Sequence, residues 1–200
     1  MEEKTLSSDI EISIERLKEE DNTELSSFSC GVRELDVFFH NEILICAKYH
    51  YFSPYCARKI SNGEIVAIFT LANDAVVLDN SDDKDDFIQQ SSCNIKEEYI
   101  SIFQLQTSYP AINIGHLGVR KDMQSKGIGE HILFFILKTF ICYNMSGCQF
   151  ITVDSLNNNR TNTFYARNGF LFQTNTDKNS STRRMYLTIA LYRDDDEEDA

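Results

Sequence analysis

The sequence lacks the features that place a protein in a membrane or outside the cell. Its longest mostly apolar run, Ile128–Cys142, includes a glutamate, a histidine and a lysine and is too short to span a bilayer. The first residues show no basic segment followed by an apolar one, so no secretory signal is visible. Proline is scarce, with two among 200 residues, and neither an internal repeat nor a linker rich in Pro, Gly or Ser divides the chain. We therefore expect one cytoplasmic domain over residues 1–193 and an acidic disordered tail over 194–200.

Cysteine patterns typical of zinc sites are also missing. The six cysteines form no Cys-x-x-Cys pair and no zinc spacing, which predicts reduced structural thiols and no metal; they stand at positions 30, 46, 56, 93, 142 and 148. Positive charge is scarce, because 19 Lys and Arg face 31 Asp and Glu for a net charge of −12. Six of these acids form Asp194–Asp199, so residues 1–193 carry −6. Such an acidic body is a poor match for nucleic acid.

What is present is an alternation of strand-like and helix-like segments. Apolar residues with strand periodicity predict strands over Glu11–Leu17, Tyr55–Ile60, Glu64–Leu71, Ala111–Val119, Gln149–Asp154, Phe170–Gln173 and Arg184–Tyr192. Helical spacing predicts helices over Glu34–Tyr49, Ile128–Tyr143 and Asn158–Arg167. Residues 73–110 carry the weakest pattern, with only a short helix-like stretch at Asn94–Glu98. This order predicts an α+β (mixed α/β) domain built on a mixed sheet.

The segment Gln124–Gly129, the glycine turn, stands between an apolar strand and a strongly apolar helix. Gly127 and Gly129 have no Cβ, so the backbone of this turn can approach a ligand closely. The following helix begins with free N–H groups and with the positive end of its dipole. Together these features favour a binding site for a phosphate-bearing ligand, with a plain structural turn as the alternative.

Three segments in this order resemble the GNAT superfamily, the Gcn5-related N-acetyltransferases. Leu117–Arg120 followed by Gln124–Gly129 is similar to the family's acetyl-coenzyme A signature. Phe150–Asp154 is similar to its next strand, and Asn158 with Phe164–Phe170 to its Asn…Phe-Tyr…Gly-Phe ending. The resemblance implies the GNAT acyl-CoA N-acyltransferase fold, with a central, mostly antiparallel mixed sheet of six to seven strands flanked by helices. It also implies an N-acetyltransferase that uses acetyl-CoA as cosubstrate, needs no metal and acts on a primary amine of a small molecule or a protein.

The resemblance also assigns cofactor-binding residues. The backbone of Leu117 and Val119 would pair with the pantetheine arm as an extra strand does. The backbone N–H groups of the glycine turn and the next residue would surround the pyrophosphate, through Gln124, Ser125, Lys126, Gly127, Ile128, Gly129 and Glu130. Asn158 would either hydrogen-bond the pantetheine or only cap its helix. Arg120, Lys121 and Lys126 are cations near the turn, with solvated surface as the alternative for the two lysines.

Tyr165 stands at the position of the family's catalytic tyrosine and is the candidate general acid. A phenol with a pKa of about 10 is protonated at neutral pH and can give its proton to the leaving thiolate; a packing tyrosine is the alternative. His116 is the candidate base, because imidazole titrates near neutrality, with a purely structural strand histidine as the alternative. Asp154 and Glu130 are weaker base candidates, and a chain of water molecules is a further alternative.

A narrower similarity links Phe28–Phe39 and Tyr109–Val119 to the GNAT branch that includes toxins acetylating aminoacyl-tRNA. Charged tRNA is therefore an alternative acceptor, which an adjacent antitoxin would favour. A coenzyme A-binding protein without catalysis is a third hypothesis. Residues 25–35 and 73–110 would build the acceptor site, and the acidic loop Asp82–Asp86 would either attract a cationic amine or be solvated. The sequence leaves the acceptor amine open, and a homodimer is a family-level expectation.

Overall fold

The computed structural model describes most of the chain. The described residues are 10–78, Lys84, Asp85, Phe87, Gln89, 97–143 and 145–192, of which 97–100 and 191 are described as backbone only. The predicted acidic tail, most of the loop Asp82–Asp86 and the first part of the predicted helix Asn94–Glu98 lie outside these residues.

Strands and helices alternate along the described residues, as the sequence predicts. The strands are β1 (Ile12–Arg16), β2 (Ser53–Lys59), β3 (Ile65–Val77), β4 (Ser108–Val119), β5 (Phe150–Leu156), β6 (Leu171–Phe172) and β7 (Thr182–Thr188). The α-helices are α1 (Asn22–Leu25), α2 (Arg33–Asn41), α3 (Ile43–Lys48), α4 (Glu97–Leu105), α5 (Ile128–Cys142) and α6 (Asn159–Arg167). Short 3-10 helices are formed by Glu19–Asp21, Lys121–Met123 and Ile189–Tyr192.

Seven strands of the described residues form a mixed sheet in the order β1-β2-β3-β4-β5-β7-β6. The pairs β1–β2, β2–β3, β5–β7 and β6–β7 are antiparallel. At the start of β5, Gln149 N–H donates to Pro110 O at 2.8 Å. Further along both strands, Thr152 Oγ1 lies 3.4 Å from Ile112 O, so β4 and β5 run parallel. The predicted α+β fold with a mostly antiparallel mixed sheet of six to seven strands is confirmed.

Contacts group the described residues into two compact units, each made of two separate stretches of chain. The first unit comprises residues 10–72 and 114–135, and the second comprises 73–113 and 136–192. The core of the first unit is formed mainly by aliphatic and phenylalanine side chains, which include Leu17, Leu25, Phe28, Phe39, Ile43, Ile65 and Ile68. Removal of these side chains from water stabilises the packing of α1–α3 against β1–β3.

Arg58 joins three acidic side chains of the first unit. Its guanidinium donates to Glu15 at 2.6 Å, Asp21 at 2.6 Å and Glu24 at 2.8 Å, and to the carbonyl of Gly63 at 2.7 Å. Burial acts to lower the pKa of Arg58, but the hydrogen-bonded carboxylates outweigh it and raise this pKa overall. The β2–β3 hairpin is thereby tied to β1 and to the first helical turns.

The core of the second unit is largely aromatic. Its buried rings pack edge-on or stacked against each other and include Phe87, Phe103, Tyr109, Phe150 and Tyr186. The Tyr109 hydroxyl lies 2.8 Å from the Phe103 carbonyl oxygen and 3.0 Å from that of Gln106, at the end of α4. A buried phenol is thus satisfied by backbone acceptors, which fixes the end of α4 against β4.

The single helix predicted over Glu34–Tyr49 is two helices, α2 and α3. The backbone leaves the helical region at Glu42, with φ of −120° and ψ of −31°. The hydrogen bonds nevertheless continue, because Glu42 N–H donates to Phe38 O at 3.0 Å and Cys46 N–H donates to Glu42 O at 2.9 Å. The interruption is therefore a kink rather than a loop, and periodicity alone cannot distinguish it from a continuous helix.

Two strands end at residues far from the predicted ones. The last strand, predicted over Arg184–Tyr192, ends at Thr188, and the next 4 residues form a 3-10 helix. Thr188 stands opposite Phe150, the first residue of β5, so the chain beyond Thr188 has no β5 residue opposite it. The hairpin strand predicted to end at Leu71 continues to Val77 as β3.

Candidate functional site

The end of β4 presents two backbone N–H groups along one edge. Arg120 N–H, directly after the strand, donates to Val66 O of β3 at 2.8 Å. Successive N–H groups of an extended chain point to opposite sides, so those of Val119 and Leu117 lie on the edge away from β3. The strand order has β5 on that side, so an extended polyamide would meet both N–H groups only beyond the residues of β4 that pair with β5.

Gly118, between these two residues, is packed too tightly for a side chain. A Cβ built there would lie 2.6 Å from Phe39 Cε2, 3.1 Å from Phe39 Cζ and 3.3 Å from Cys30 Cβ. The absence of a side chain lets β4 approach α2 closely. The position of the two N–H groups is therefore set by core packing.

The glycine turn is braced by its own first side chain. Gln124 Nε2 donates to Cys30 O at 2.7 Å and to Val119 O at 2.9 Å. Ser125 and Gly127 have φ of 60° and 83°, in the left-handed region that favours glycine. The Gln124 side chain thus shapes the turn, and the ligand contacts open to it are those of its backbone.

The helix α5 begins with N–H groups that have no acceptor inside the helix. His131 N–H donates to Gly127 O at 2.9 Å, which closes the first helical turn. The preceding N–H groups of Ile128, Gly129 and Glu130 lie at the positive end of the helix dipole. This arrangement can bind the oxygens of a phosphate group.

The cations near the turn differ in how far their charge is already offset. Arg120 Nε donates to Asp122 at 2.8 Å, and its Nη1 lies 3.4 Å from the Glu64 carboxylate. The hydrogen bond to Asp122 raises the pKa of Arg120. Lys126 Nζ contacts the neutral sulfur of Met123 at 3.6 Å and interacts with Asp122 only through its charge, without a salt bridge among the described residues. Lys126 is therefore better placed than Arg120 to attract an anion.

His116, the candidate base, is held in an aromatic slot of the first unit. Its ring stacks on Phe38 with 3.8 Å between centroids and 11° between planes, and the ring of Phe52 lies edge-on to it with 6.0 Å between centroids. Its Nδ1 lies 3.1 Å from the hydroxyl of Thr70, and its backbone N–H donates to the same oxygen at 3.0 Å. Burial lowers the pKa of His116, so the ring is neutral at neutral pH.

Tyr165, the candidate acid, lies on α6 in the second unit and is 5% exposed. The rings of Phe164 and Phe170 contact it edge-on at centroid distances of 5.0 Å and 5.3 Å. Burial raises the pKa of the Tyr165 phenol well above its ordinary value, so the hydroxyl is protonated at neutral pH. Within the described residues, the hydroxyl has no hydrogen-bond partner.

Asn158 caps the helix that carries Tyr165. Its Oδ1 accepts the Thr161 N–H at 3.0 Å, and its own backbone is extended, with φ of −135° and ψ of 156°. Both features are those of an N-cap residue. The acceptor oxygen of Asn158 is thus engaged, whereas its amide group remains a donor that could reach a ligand.

Asp154, a weaker base candidate, is paired with a cation. Its carboxylate accepts from Arg184 Nη1 at 2.9 Å. Arg184 also contacts Asp74, which accepts a hydrogen bond from the Thr152 hydroxyl. The Asp154 carboxylate is thus already engaged by a cation, so this geometry does not favour Asp154 as a base.

The predicted site residues divide between the two units. The first unit contains His116, Leu117, Val119, Gln124, Ser125, Lys126, Gly127, Ile128, Gly129 and Glu130. The second contains Tyr165 and Asn158. Sequence reasoning missed Thr70, although a lone threonine inside the apolar run Ile65–Leu71 is a visible signal for a buried polar contact.

The described part of the chain contains neither a cluster of potential metal ligands nor a helix that could span a membrane. No group of three or more His, Cys, Asp or Glu side chains there converges as metal ligands would. Nor does any helix of that part have the length and apolar character needed to cross a bilayer.

The chain matches the sequence model of an acetyltransferase (GNAT) domain over residues 89–171. None of the curated proteins matches it in sequence. Among solved structures, it is similar to a bacterial toxin with a TM-score of 0.68 and 16% identity, over 90% of this chain and 92% of that one.

Two solved structures of the AtaT toxin are also similar. One is a mutant bound to the C-terminus of the antitoxin AtaR and acetyl-CoA, with a TM-score of 0.66 and 14% identity over 89% of this chain and 93% of that one. The other is AtaT complexed with acetyl-methionyl-tRNAfMet, with a TM-score of 0.67 and 15% identity over 89% and 95%. At these identities the likeness shows the fold. The predicted GNAT resemblance and acetyltransferase class are confirmed: residues 89–171 match the model of a GNAT acetyltransferase domain, and the chain has the GNAT fold.

Proposed function

We propose that this acetyltransferase moves the acetyl group of acetyl-CoA directly to a primary amine of a small molecule or a protein. The observation that carries the proposal is the path of backbone donors from Leu117 and Val119 to the start of α5. A pantetheine arm is a polyamide, and it would pair with the edge of β4 that faces away from β3. Its pyrophosphate would then reach the N–H groups between Gln124 and Glu130, with Lys126 adding positive charge.

The reaction needs a proton donor for the leaving thiolate, and we assign this role to Tyr165. The amine nitrogen forms a bond to the thioester carbonyl carbon, the carbon–sulfur bond breaks, and the sulfur takes the phenolic proton. The proton lost from the nitrogen leaves through water, and the phenolate regains a proton from solvent. Burial raises the pKa of the Tyr165 phenol, so the hydroxyl carries its proton at neutral pH, as a proton donor must.

The test is acetyl transfer by the full chain to a panel of amines and peptides, measured by release of the coenzyme A thiol. Tyr165→Phe is expected to lower kcat by about 10²- to 10⁴-fold, the range for loss of a general acid, with little change in the KM for acetyl-CoA. Tyr49→Phe is the matched control, because Tyr49 is 70% exposed. Equal kcat values for the two variants would remove Tyr165 from the mechanism.

Aminoacyl-tRNA is the second candidate acceptor. It is supported by the similarity to AtaT, a protein whose complex with acetyl-methionyl-tRNAfMet has been solved. The charge of −6 over residues 1–193 opposes it, because an acidic body repels the tRNA backbone. If tRNA is the acceptor, expression of the wild type stops growth and expression of Tyr165→Phe does not. Normal growth with the wild type would exclude this acceptor in the expressing cell.

A third hypothesis is a protein that binds acetyl-CoA without transferring its acetyl group. Calorimetry with acetyl-CoA separates this hypothesis from the others. Binding of acetyl-CoA together with no acetylation of any amine in the panel would support it. Absence of binding would contradict all three hypotheses together. The cytoplasmic location, the single domain over residues 1–193, the homodimer and an antitoxin partner stay predictions.

A further inference from the structure

The Thr70 hydroxyl meets two groups of the same histidine. Thr70 is 1% exposed, so its hydroxyl is removed from water. Its oxygen accepts the backbone N–H of His116 at 3.0 Å and lies 3.1 Å from Nδ1 of the same ring. A hydroxyl has one proton to donate and two lone pairs to accept with. One lone pair is therefore already committed to the backbone.

These contacts decide where the imidazole proton lies. If Nδ1 carried the proton, the Nδ1–H group would donate to the second lone pair of the Thr70 oxygen. The hydroxyl proton of Thr70 would then have no acceptor among the described residues. A buried donor without an acceptor is costly, so this arrangement is disfavoured. If the hydroxyl instead donates to Nδ1, every polar group is satisfied. Nδ1 is then unprotonated, and the single proton of the neutral ring lies on Nε2.

The ring is also fixed in place. Phe38 of α2 stacks flat on it and Phe52 lies edge-on to it, so the plane of the ring is fixed, and the contact of Nδ1 with Thr70 sets its orientation within that plane. His116 is only half-buried, and its Nε2 has no hydrogen-bond partner within the described residues. The one N–H of the ring is thus oriented and open to a ligand.

We propose that Thr70 is a positioning residue that holds His116 as the Nε2–H tautomer, so that His116 donates a hydrogen bond to a substrate oxygen instead of accepting the amine proton. The substrate contact of His116 rests on the proposed function, whereas its tautomer rests on the geometry of the first unit alone. This donor role replaces the role of general base that the sequence suggests for this histidine. The amine proton then leaves through water.

Nitrogen NMR of the full chain at neutral pH tests the tautomer without any substrate. The wild type is expected to show a protonated Nε2 and an unprotonated Nδ1 for His116, with the signal assigned by its loss in His116→Gln. Thr70→Ser keeps the hydroxyl and should keep this pattern. Thr70→Val removes it and should give a mixture of the two tautomers. A protonated Nδ1 in the wild type, or an unchanged pattern in Thr70→Val, would overturn the inference.

Acetyl transfer to the best amine of the panel tests the role. His116→Gln retains an N–H donor but cannot take up a proton, whereas His116→Leu has neither property. The donor role predicts at least a tenfold higher kcat/KM for the glutamine variant than for the leucine variant, provided that both melt as cooperative folded proteins. Equal losses would overturn the donor role. A wild type that acetylates nothing would contradict the proposed function instead, while NMR would still report the tautomer.

Discussion

Replacing Gly118 by alanine should destabilise the protein through one contact. The added Cβ would lie 2.6 Å from Phe39 Cε2, whereas carbon atoms in favourable contact are about 3.5–4.0 Å apart. The overlap of about 1 Å must be relieved by movement of either β4 or the Phe39 ring. Phe39 is 0% exposed and cannot swing into solvent. Any relief therefore disturbs the core of the first unit.

Overpacking of this kind costs about 1–3 kcal/mol of the free energy of unfolding. For a chain of this size, a loss of about 2 kcal/mol lowers Tm by about 4–8 °C. The free energy is measured by urea unfolding, where the midpoint should fall while the slope m is unchanged. Because the two N–H groups flanking this glycine belong to the proposed pantetheine edge, the KM for acetyl-CoA should rise in the same variant.

Gly147→Ala is the matched control, because its Cβ would meet only Pro110 Cγ at an ordinary 3.8 Å. Its effect should stay within about 0.5 kcal/mol. Combining Gly118→Ala with Phe39→Leu should cost less than the sum of the two single changes, since the smaller side chain makes room for the Cβ. If Gly118→Ala is no more destabilising than Gly147→Ala, or if the double variant is simply additive, the steric argument is refuted.

Three further predictions concern capping, ionisation and charge. Asn158→Ala should lower the free energy of unfolding by about 1 kcal/mol because it removes the helix cap, and Asn158→Ser should restore the cap and the stability. A rise in the KM for acetyl-CoA in both variants would indicate that the Asn158 side chain also contacts the pantetheine. Iodoacetamide at pH 8 should label exposed Cys142 before Cys30 and Cys56, as mapped by mass spectrometry, because burial raises the pKa of these two thiols to about 11 and about 12. Their raised pKa values stabilise the folded state below the thiol pKa of the unfolded chain, about 8.5, and this stability should fall as pH rises from there towards 11. Arg58→Met should cost about 3 kcal/mol in thermal or urea unfolding, because three carboxylates lose their shared cation, and Arg58→Lys should cost less.

The fold and the part of the site that would bind acetyl-CoA can be predicted from the sequence, because the local sequence signals agree there. Strand periodicity before the turn, two glycines within it and an apolar helix after it all indicate the same strand–turn–helix unit. A helix cap is one of the two roles that the sequence suggests for Asn158, and the structure has this cap. Each of these features depends on residues close together in the chain.

The remaining features depend on contacts between distant residues. Thr70 reaches His116 across two strands, and Phe39 meets Gly118 from a helix 79 positions earlier, so no local pattern encodes either contact. From the sequence, Arg120 is a cation near the glycine turn that could bind an anionic ligand. In the structure its guanidinium is paired with Asp122. The acceptor side falls mainly on residues 73–110, where the hydrophobic pattern is weakest and parts of the chain lie outside the described residues.

The two compact units are interleaved along the chain, which constrains how the protein can be made. β3 begins in the first unit and ends in the second, and β4 returns from the second to the first. The first unit therefore cannot be completed on the ribosome until residue 135 has emerged, long after its first 63 described residues, 10–72, have been synthesised. Contacts between segments so far apart in sequence form slowly. Neither unit can be obtained as a single uninterrupted fragment, and a nascent chain stopped near residue 113 would leave the apolar side chains that await 114–135 exposed to chaperones or to aggregation.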